Sequence, residues 1–237
     1  NKFNAKIENK SAAYGQIALQ GPQAQAILQK LNGASSACEL KYFCFCEAEL
    51  GGCQAIIART GYTGEDGFEF FMPWDGAPAV WNLLLEQGEG LGLLPCGLGA
   101  RDSLRLEACY PLHGHELSDE ISALESGLGW IVKFDKGDFI GKQALQRQKD
   151  SGLKRNLIGF YVDDPGIARH GDKVYAEDGA SEIGVVTSGT KTPTLSRALG
   201  MALVDAAHSK VDSKIAVDVR GRKLSCSVVK KPFYKRG

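Results

Sequence analysis

Arg59-Thr60-Gly61-Tyr62-Thr63-Gly64-Glu65-Asp66-Gly67-Phe68-Glu69 sets three glycines, two adjacent acids and a tyrosine between apolar runs. Glycine adopts backbone angles closed to other residues, so the pattern predicts a tight turn between strands, of the kind a ligand can approach closely. A second stretch, Gly97-Leu98-Gly99-Ala100-Arg101-Asp102-Ser103-Leu104-Arg105-Leu106-Glu107, spaces Leu98, Arg101 and Arg105 on one edge and Leu104 and Leu106 on another. It reads as a helix with a polar edge behind a glycine-rich loop. By pattern alone the two stretches fit a structural hairpin and an exposed helix with an Arg–Asp–Glu lattice equally well.

Working outward, Tyr14 to Leu19 reads as a strand ending at Gln20-Gly21-Pro22. Ala24 to Leu31 repeats apolar residues at Ala24, Ile27, Leu28 and Leu31, a short amphipathic helix. Tyr42 to Leu50, Cys53 to Arg59 and Phe68 to Met72 form an antiparallel meander by the shortness of their connections. Asp75 to Gln87 is helical, with Pro78 in its first turn and Ala79, Val80, Leu83 and Leu84 turned inward. Ala100 to Cys109 is the polar-edged helix, stopped before Pro111. Ser122 to Phe134 ends in Gly127-Leu128-Gly129-Trp130-Ile131-Val132, a run expected as a buried strand, and Gln143 to Lys149 is helical. From Asn156 the character changes. Short strands over 157–162, 173–176, 182–187, 200–204, 214–219 and 223–229, parted by Gly or Asp turns, predict a small β-sandwich or barrel. The fold class is α+β, and 150–155 marks a boundary.

Among the 237 residues, 28 basic and 28 acidic side chains cancel. No strong field points to nucleic acid or an anionic membrane, and no run is long enough to span a bilayer. Cys38, Cys44, Cys46, Cys53, Cys96, Cys109 and Cys226 are odd in number and lack paired C-x-x-C spacing. They read as free, buried thiols of a reducing compartment, a bacterial cytoplasm or a mitochondrial matrix, rather than a disulfide framework. His113 and His115 have strand-like spacing without a third ligand nearby, so no metal site is expected. The chain opens at Asn1 without Met or a targeting pattern, which suggests a preceding segment.

The two stretches, with Leu112-His113-Gly114-His115-Glu116-Leu117, Asp138-Phe139-Ile140-Gly141-Lys142, Ile183-Gly184-Val185-Val186-Thr187-Ser188-Gly189 and Lys231-Pro232-Phe233-Tyr234, resemble the ordered motifs of the glycine cleavage system T-protein family. The resemblance implies a three-domain cloverleaf around a folate cavity, present here in part. Residues 1–115 would belong to the first, folate-binding domain, 116–153 to a ferredoxin-like second, and 154–237 to a barrel or jelly-roll third. It implies an aminomethyltransferase that takes the one-carbon unit from the aminomethyl-lipoyl arm of the H-protein to tetrahydrofolate with release of ammonia. Two other classes share the fold. One is a non-catalytic folate-binding protein like the iron–sulfur assembly factor, whose Lys-Gly-Cys is here Lys136-Gly137-Asp138. The other is a folate-dependent demethylase or the C-terminal half of an amine oxidase fusion.

The same resemblance makes Glu69 the carboxylate that binds the pteridine ring. An ionised carboxylate only accepts hydrogen bonds, and the ring edge offers an amino group and a ring N–H as donors. Phe68 and Phe70 point to the face opposite Glu69. A solvent-facing strand glutamate is the other reading. Arg101 matches an arginine of the family's cavity, a charged planar fork suited to a carbonyl or carboxylate. Tyr62 and Tyr110 fall where the family's folate-contacting tyrosines occur, with core packing as the rival for Tyr110. Arg236 is expected at the folate tail or cavity mouth. Asp102, Arg105 and Glu107 are expected as an exposed or structural ion-pair set, and Asp66 as a turn residue. The family's catalytic aspartate is expected in the preceding segment, and no residue of this chain takes that role.

Overall fold

Tyr14–Gln20 (β1) leads into a short helix, Ala24–Gln29 (α1), in the computed structural model, which describes residues 4–237. Strands Phe45–Leu50 (β2), Cys53–Ala58 (β3) and Gly67–Pro73 (β4) follow, then the helix Ala77–Gly88 (α2). The four strands pair antiparallel in the order β1-β4-β3-β2. Gly51 and Gly52, both with positive φ (60° and 80°), make the two-residue β2–β3 connection, the left-handed geometry a twisted hairpin needs. One face of the sheet is apolar at alternate positions. Leu19, Ile57, Phe68, Phe70 and Met72 pack there with Ile27 and Leu28 of α1 and Val80 and Leu84 of α2. Pro78 sits in the first turn of α2 as expected. Leu83 is half-buried against this core, but Ala79 is exposed, since the buried stripe of α2 is only one residue wide at that turn.

The chain divides into two compact units, the first ending at Gly97 and the second beginning at Leu98. The second unit opens with the helix Leu98–Glu107 (α3), and Lys142–Ser151 (α4) comes after a stretch of turns. Strands Arg155–Val162 (β5), Lys173–Ala176 (β6), Glu182–Lys191 (β7), Ala198–Asp205 (β8), Lys214–Val219 (β9) and Arg222–Val229 (β10) close into an antiparallel barrel in the order β10-β5-β8-β7-β6-β9. Its interior holds Ile158, Phe160, Val174, Val186, Val204, Val217 and Val228. The register of β7 against β8 shifts between Val186 and Ser188, a bulge that changes which way the following side chains face.

The strand expected over 127–132 is absent among the described elements. That stretch folds into successive turns, with Leu128 N–H donating to the Ala123 carbonyl, Ile131 to Leu128 and Val132 to Gly129. Trp130 is 71% exposed and Ile131 51%. Glycines at 127 and 129, the former with φ of 77°, favour local closure, so the backbone is satisfied without a strand partner. All the cysteines are free, yet only Cys38 and Cys226 are buried, while Cys44 and Cys96 are exposed. Burial pushes the Cys226 thiol up to about 12.

Two outcomes check this architecture. A Cβ at position 184 would meet the Leu203 carbonyl oxygen and the Val204 backbone, whereas at position 90 it would meet nothing. Gly184→Ala should therefore cost roughly 1–3 kcal/mol in urea unfolding, and Gly90→Ala much less. At about pH 8 the exposed Cys44 and Cys96 should react rapidly with a thiol reagent, and Cys226 only after denaturation.

Candidate functional site

The turn between β3 and β4 is built around the Arg59 guanidinium. Its Nε and Nη2 donate to the two oxygens of Asp66 at 3.1 and 2.5 Å, Nη1 to the carbonyls of Cys38 and Leu40 at 3.1 and 2.9 Å, and Nη2 also to the Gln25 side-chain carbonyl at 3.2 Å. The hydrogen-bonded Asp66 carboxylate raises the Arg59 pKa above its ordinary value. Asp66 also accepts from the Gly67 N–H at 3.0 Å, so it is a turn residue and the counter-ion of the turn. Gln20 fills the space inside: its amide donates to the Thr60 carbonyl at 3.1 Å and its carbonyl accepts from the Thr63 hydroxyl at 3.2 Å. A Cβ on Gly61 or Gly67 would fall on the Gln20 amide group, so a side chain at either position would displace Gln20 from the turn.

Glu69 stands on β4 with its oxygens already oriented. Gln16 Nε2 donates to Oε1 at 2.8 Å and the Thr60 hydroxyl to Oε2 at 2.5 Å. Phe68 and Phe70 are fully buried on the opposite face, as expected. The cross-strand partners of Glu69 are Ala18 on β1 and Ala58 on β3, and Ala58 in turn pairs with Phe45 on β2. One row across the sheet thus reads Ala18, Glu69, Ala58, Phe45. The next row reads Gln16, Phe71, Ile56, Glu47. Glu69 is half-buried, and its two directly opposed neighbours are alanines, which crowd a carboxylate less than large side chains would. Tyr62 lies half-buried in the turn whose Thr60 holds Glu69, so the structure brings these two predicted residues to one region.

In the second unit Arg101 is exposed on the first turn of α3, and Tyr110 is half-buried just beyond its end. The Tyr110 N–H donates to the Arg105 carbonyl at 2.8 Å. The Tyr234 N–H donates to the Glu107 carbonyl at 2.8 Å, placing the segment that carries Arg236 at the same end of the helix as Tyr110. Arg236 itself is exposed.

The expected ion-pair set of α3 is present as a structural pair of Arg105 with Asp102, and Glu107 is not part of it. Asp102 is exposed, but Arg105 and Glu107 are each 1% exposed. Arg105 Nη1 donates to Glu116 Oε2 at 3.1 Å, Nη2 to the Ser188 hydroxyl at 2.8 Å and to Asp102 at 2.7 Å. Glu107 pairs with no arginine. Its Oε1 accepts the N–H groups of Thr194 and Leu195, both at 3.0 Å. The lattice is therefore a buried clamp between helix and barrel, made possible by the β7 bulge at Ser188. Sequence reading missed Glu116 and Ser188, whose only signal was a carboxylate within the polar Leu112–Leu117 run. His115 contacts the Ser188 hydroxyl at 3.3 Å and stacks on His170 with ring centres 4.1 Å apart. Among the described residues no cluster of three or more His, Cys, Asp or Glu side chains is placed to hold a metal ion.

The family profile described as GCVT N-terminal domain matches residues 1–136, and that described as Glycine cleavage T-protein C-terminal barrel domain matches residues 155–235. The chain belongs to the glycine cleavage T-protein family. It is 47% identical over 235 residues to an aminomethyltransferase of Anoxybacillus flavithermus, covering 98% of this chain and 64% of that protein. An aminomethyltransferase of Caldanaerobacter subterraneus is 46% identical over 235 residues, with 99% and 62% covered. The crystal structure of glycine cleavage system aminomethyltransferase T from Bartonella henselae superimposes with a TM-score of 0.85 at 32% identity, over 94% of this chain and 60% of that one. The chain thus spans just under two thirds of the relatives it matches. The closed barrel at its C-terminal end is the family's barrel domain.

The buried clamp gives a sharp test. Glu116→Ala leaves Arg105 as a buried charge short of its partner and should cost about 3–5 kcal/mol in urea unfolding. The double substitution Arg105→Met with Glu116→Leu should recover most of that loss, because both charges leave together.

Proposed function

We propose that this chain is the folate-binding portion of an aminomethyltransferase of the glycine cleavage system. On this reading it receives tetrahydrofolate, which accepts the one-carbon unit carried as an aminomethyl group on the lipoyl arm of the H-protein, with release of ammonia. Residues 1–115, 116–153 and 154–237 are then the chain's shares of the family's three domains. No helix among the described residues is long and apolar enough to cross a membrane.

The observation that carries the reading is the state of Glu69. An ionised carboxylate has about four acceptor positions, and Gln16 and Thr60 take one on each oxygen. One remains on each oxygen, side by side, which is the complement of an amino group next to a ring N–H. Tyr62 in the adjoining turn is a rigid amphipathic side chain suited to a flat ligand. Arg101, Tyr110 and Arg236 enter the proposal through the family motif, as cationic and aromatic contacts of the ligand. The relatives bear the name aminomethyltransferase, which supports the reaction class.

Glu69→Gln keeps the shape but replaces one acceptor oxygen by a donor and removes the charge. Two charge-assisted hydrogen bonds are weakened, so tetrahydrofolate affinity measured by titration calorimetry should fall roughly 10- to 100-fold, with the thermal midpoint nearly unchanged. Unchanged affinity would defeat the assignment of Glu69.

A further inference from the structure

We propose that Ala58 determines which ligands Glu69 accepts, its methyl group being the floor on which a flat ring with a two-donor edge rests; the inference builds on the folate reading of Glu69. Directly opposed side chains on neighbouring antiparallel strands have Cβ atoms about 4.5–5.5 Å apart. A ring in van der Waals contact with the Ala58 methyl lies about 3.5–4.0 Å above it. The Glu69 carboxyl carbon stands two carbons beyond its own Cβ, so ring edge and carboxylate meet at a similar height. Any longer side chain at position 58 would occupy that layer and cover the flank of the carboxylate.

The two alanine flanks are not equivalent. Ala18 lies on β1, an edge strand of the sheet among the described residues; the Gln16 amide reaches Glu69 from that strand and the Thr60 hydroxyl from beyond the end of β3. Ala58 lies on an inner strand. Beyond it in the same row stands Phe45, 64% exposed, and beside it in the next row stands Ile56. These apolar side chains border the Ala58 position and give a ring a wall as well as a floor. The Gln20 side chain covers Gly67, the residue that precedes Glu69 on its own face of β4, and so bounds the platform on that side. The platform is thus open at one position and bounded at its neighbours, as recognition of a single flat ligand requires.

Titration of the full chain with tetrahydrofolate, and with tetrahydropterin as a probe that lacks the tail, tests this. Ala58→Leu should weaken both ligands tenfold or more, Ala58→Ser should bind as the unsubstituted chain does, and Ala18→Leu should cost less than threefold. Should Ala58→Leu fail to fold, Ala58→Val, natural in a strand, is expected to show the same loss. Equal affinity in the Leu and Val variants, or an equal loss in Ala18→Leu, would overturn the role of Ala58 alone. No binding of either ligand by the unsubstituted chain would overturn the folate reading and this inference with it.

Discussion

A guanidinium placed inside a protein must find acceptors for its donors, and both units are ordered by that demand. In the first, Arg59 gathers Asp66, Gln25 and two backbone carbonyls, and so fixes the β3–β4 turn against the segment around Cys38–Leu40. In the second, Arg105 gathers Glu116, Asp102 and Ser188, and so fixes α3 against the barrel wall. Neither arginine has donors left to offer a ligand. Their work is to give shape to the elements that carry Glu69, Tyr62 and Arg101.

Glu69 shows the complementary arrangement. It is a carboxylate held by two neutral donors rather than neutralised by a cation, so its charge and half its accepting capacity stay in reserve. The ordering of the side chain is settled before any ligand arrives, which lowers the entropy lost on binding. Gln20, by filling the turn from below, holds Thr60 where its hydroxyl can reach the carboxylate.

Much of this was legible in the residues. The alternation in β1, β3 and β4, the paired glycines at 51–52 and the short strands after Asn156 gave the sheet and barrel, because period and turn chemistry are local properties. The motif order gave the family and singled out Glu69 as a candidate. What stayed hidden depends on distant partners. The sequence near Arg105 shows a charged helix face, and only the approach of Ser188, eighty-three positions away, turns it into a buried clamp. The run 127–132 misled for the converse reason: it has the composition of a strand but no strand beside it among the described residues. Ala58 gave no signal at all, since a missing side chain matters only beside what it leaves uncovered.

The two units also differ in how their backbones end. A closed barrel has no free strand edge, whereas the four-stranded sheet terminates in β1 and β2. Strand β2 carries Glu47 and Glu49, like charges that discourage pairing with a second copy of itself. Strand β1, Tyr-Gly-Gln-Ile-Ala-Leu-Gln, carries none. Among the described residues the sheet therefore has one border that carries like charges and one that carries none, and the uncharged one is the strand that supports Glu69.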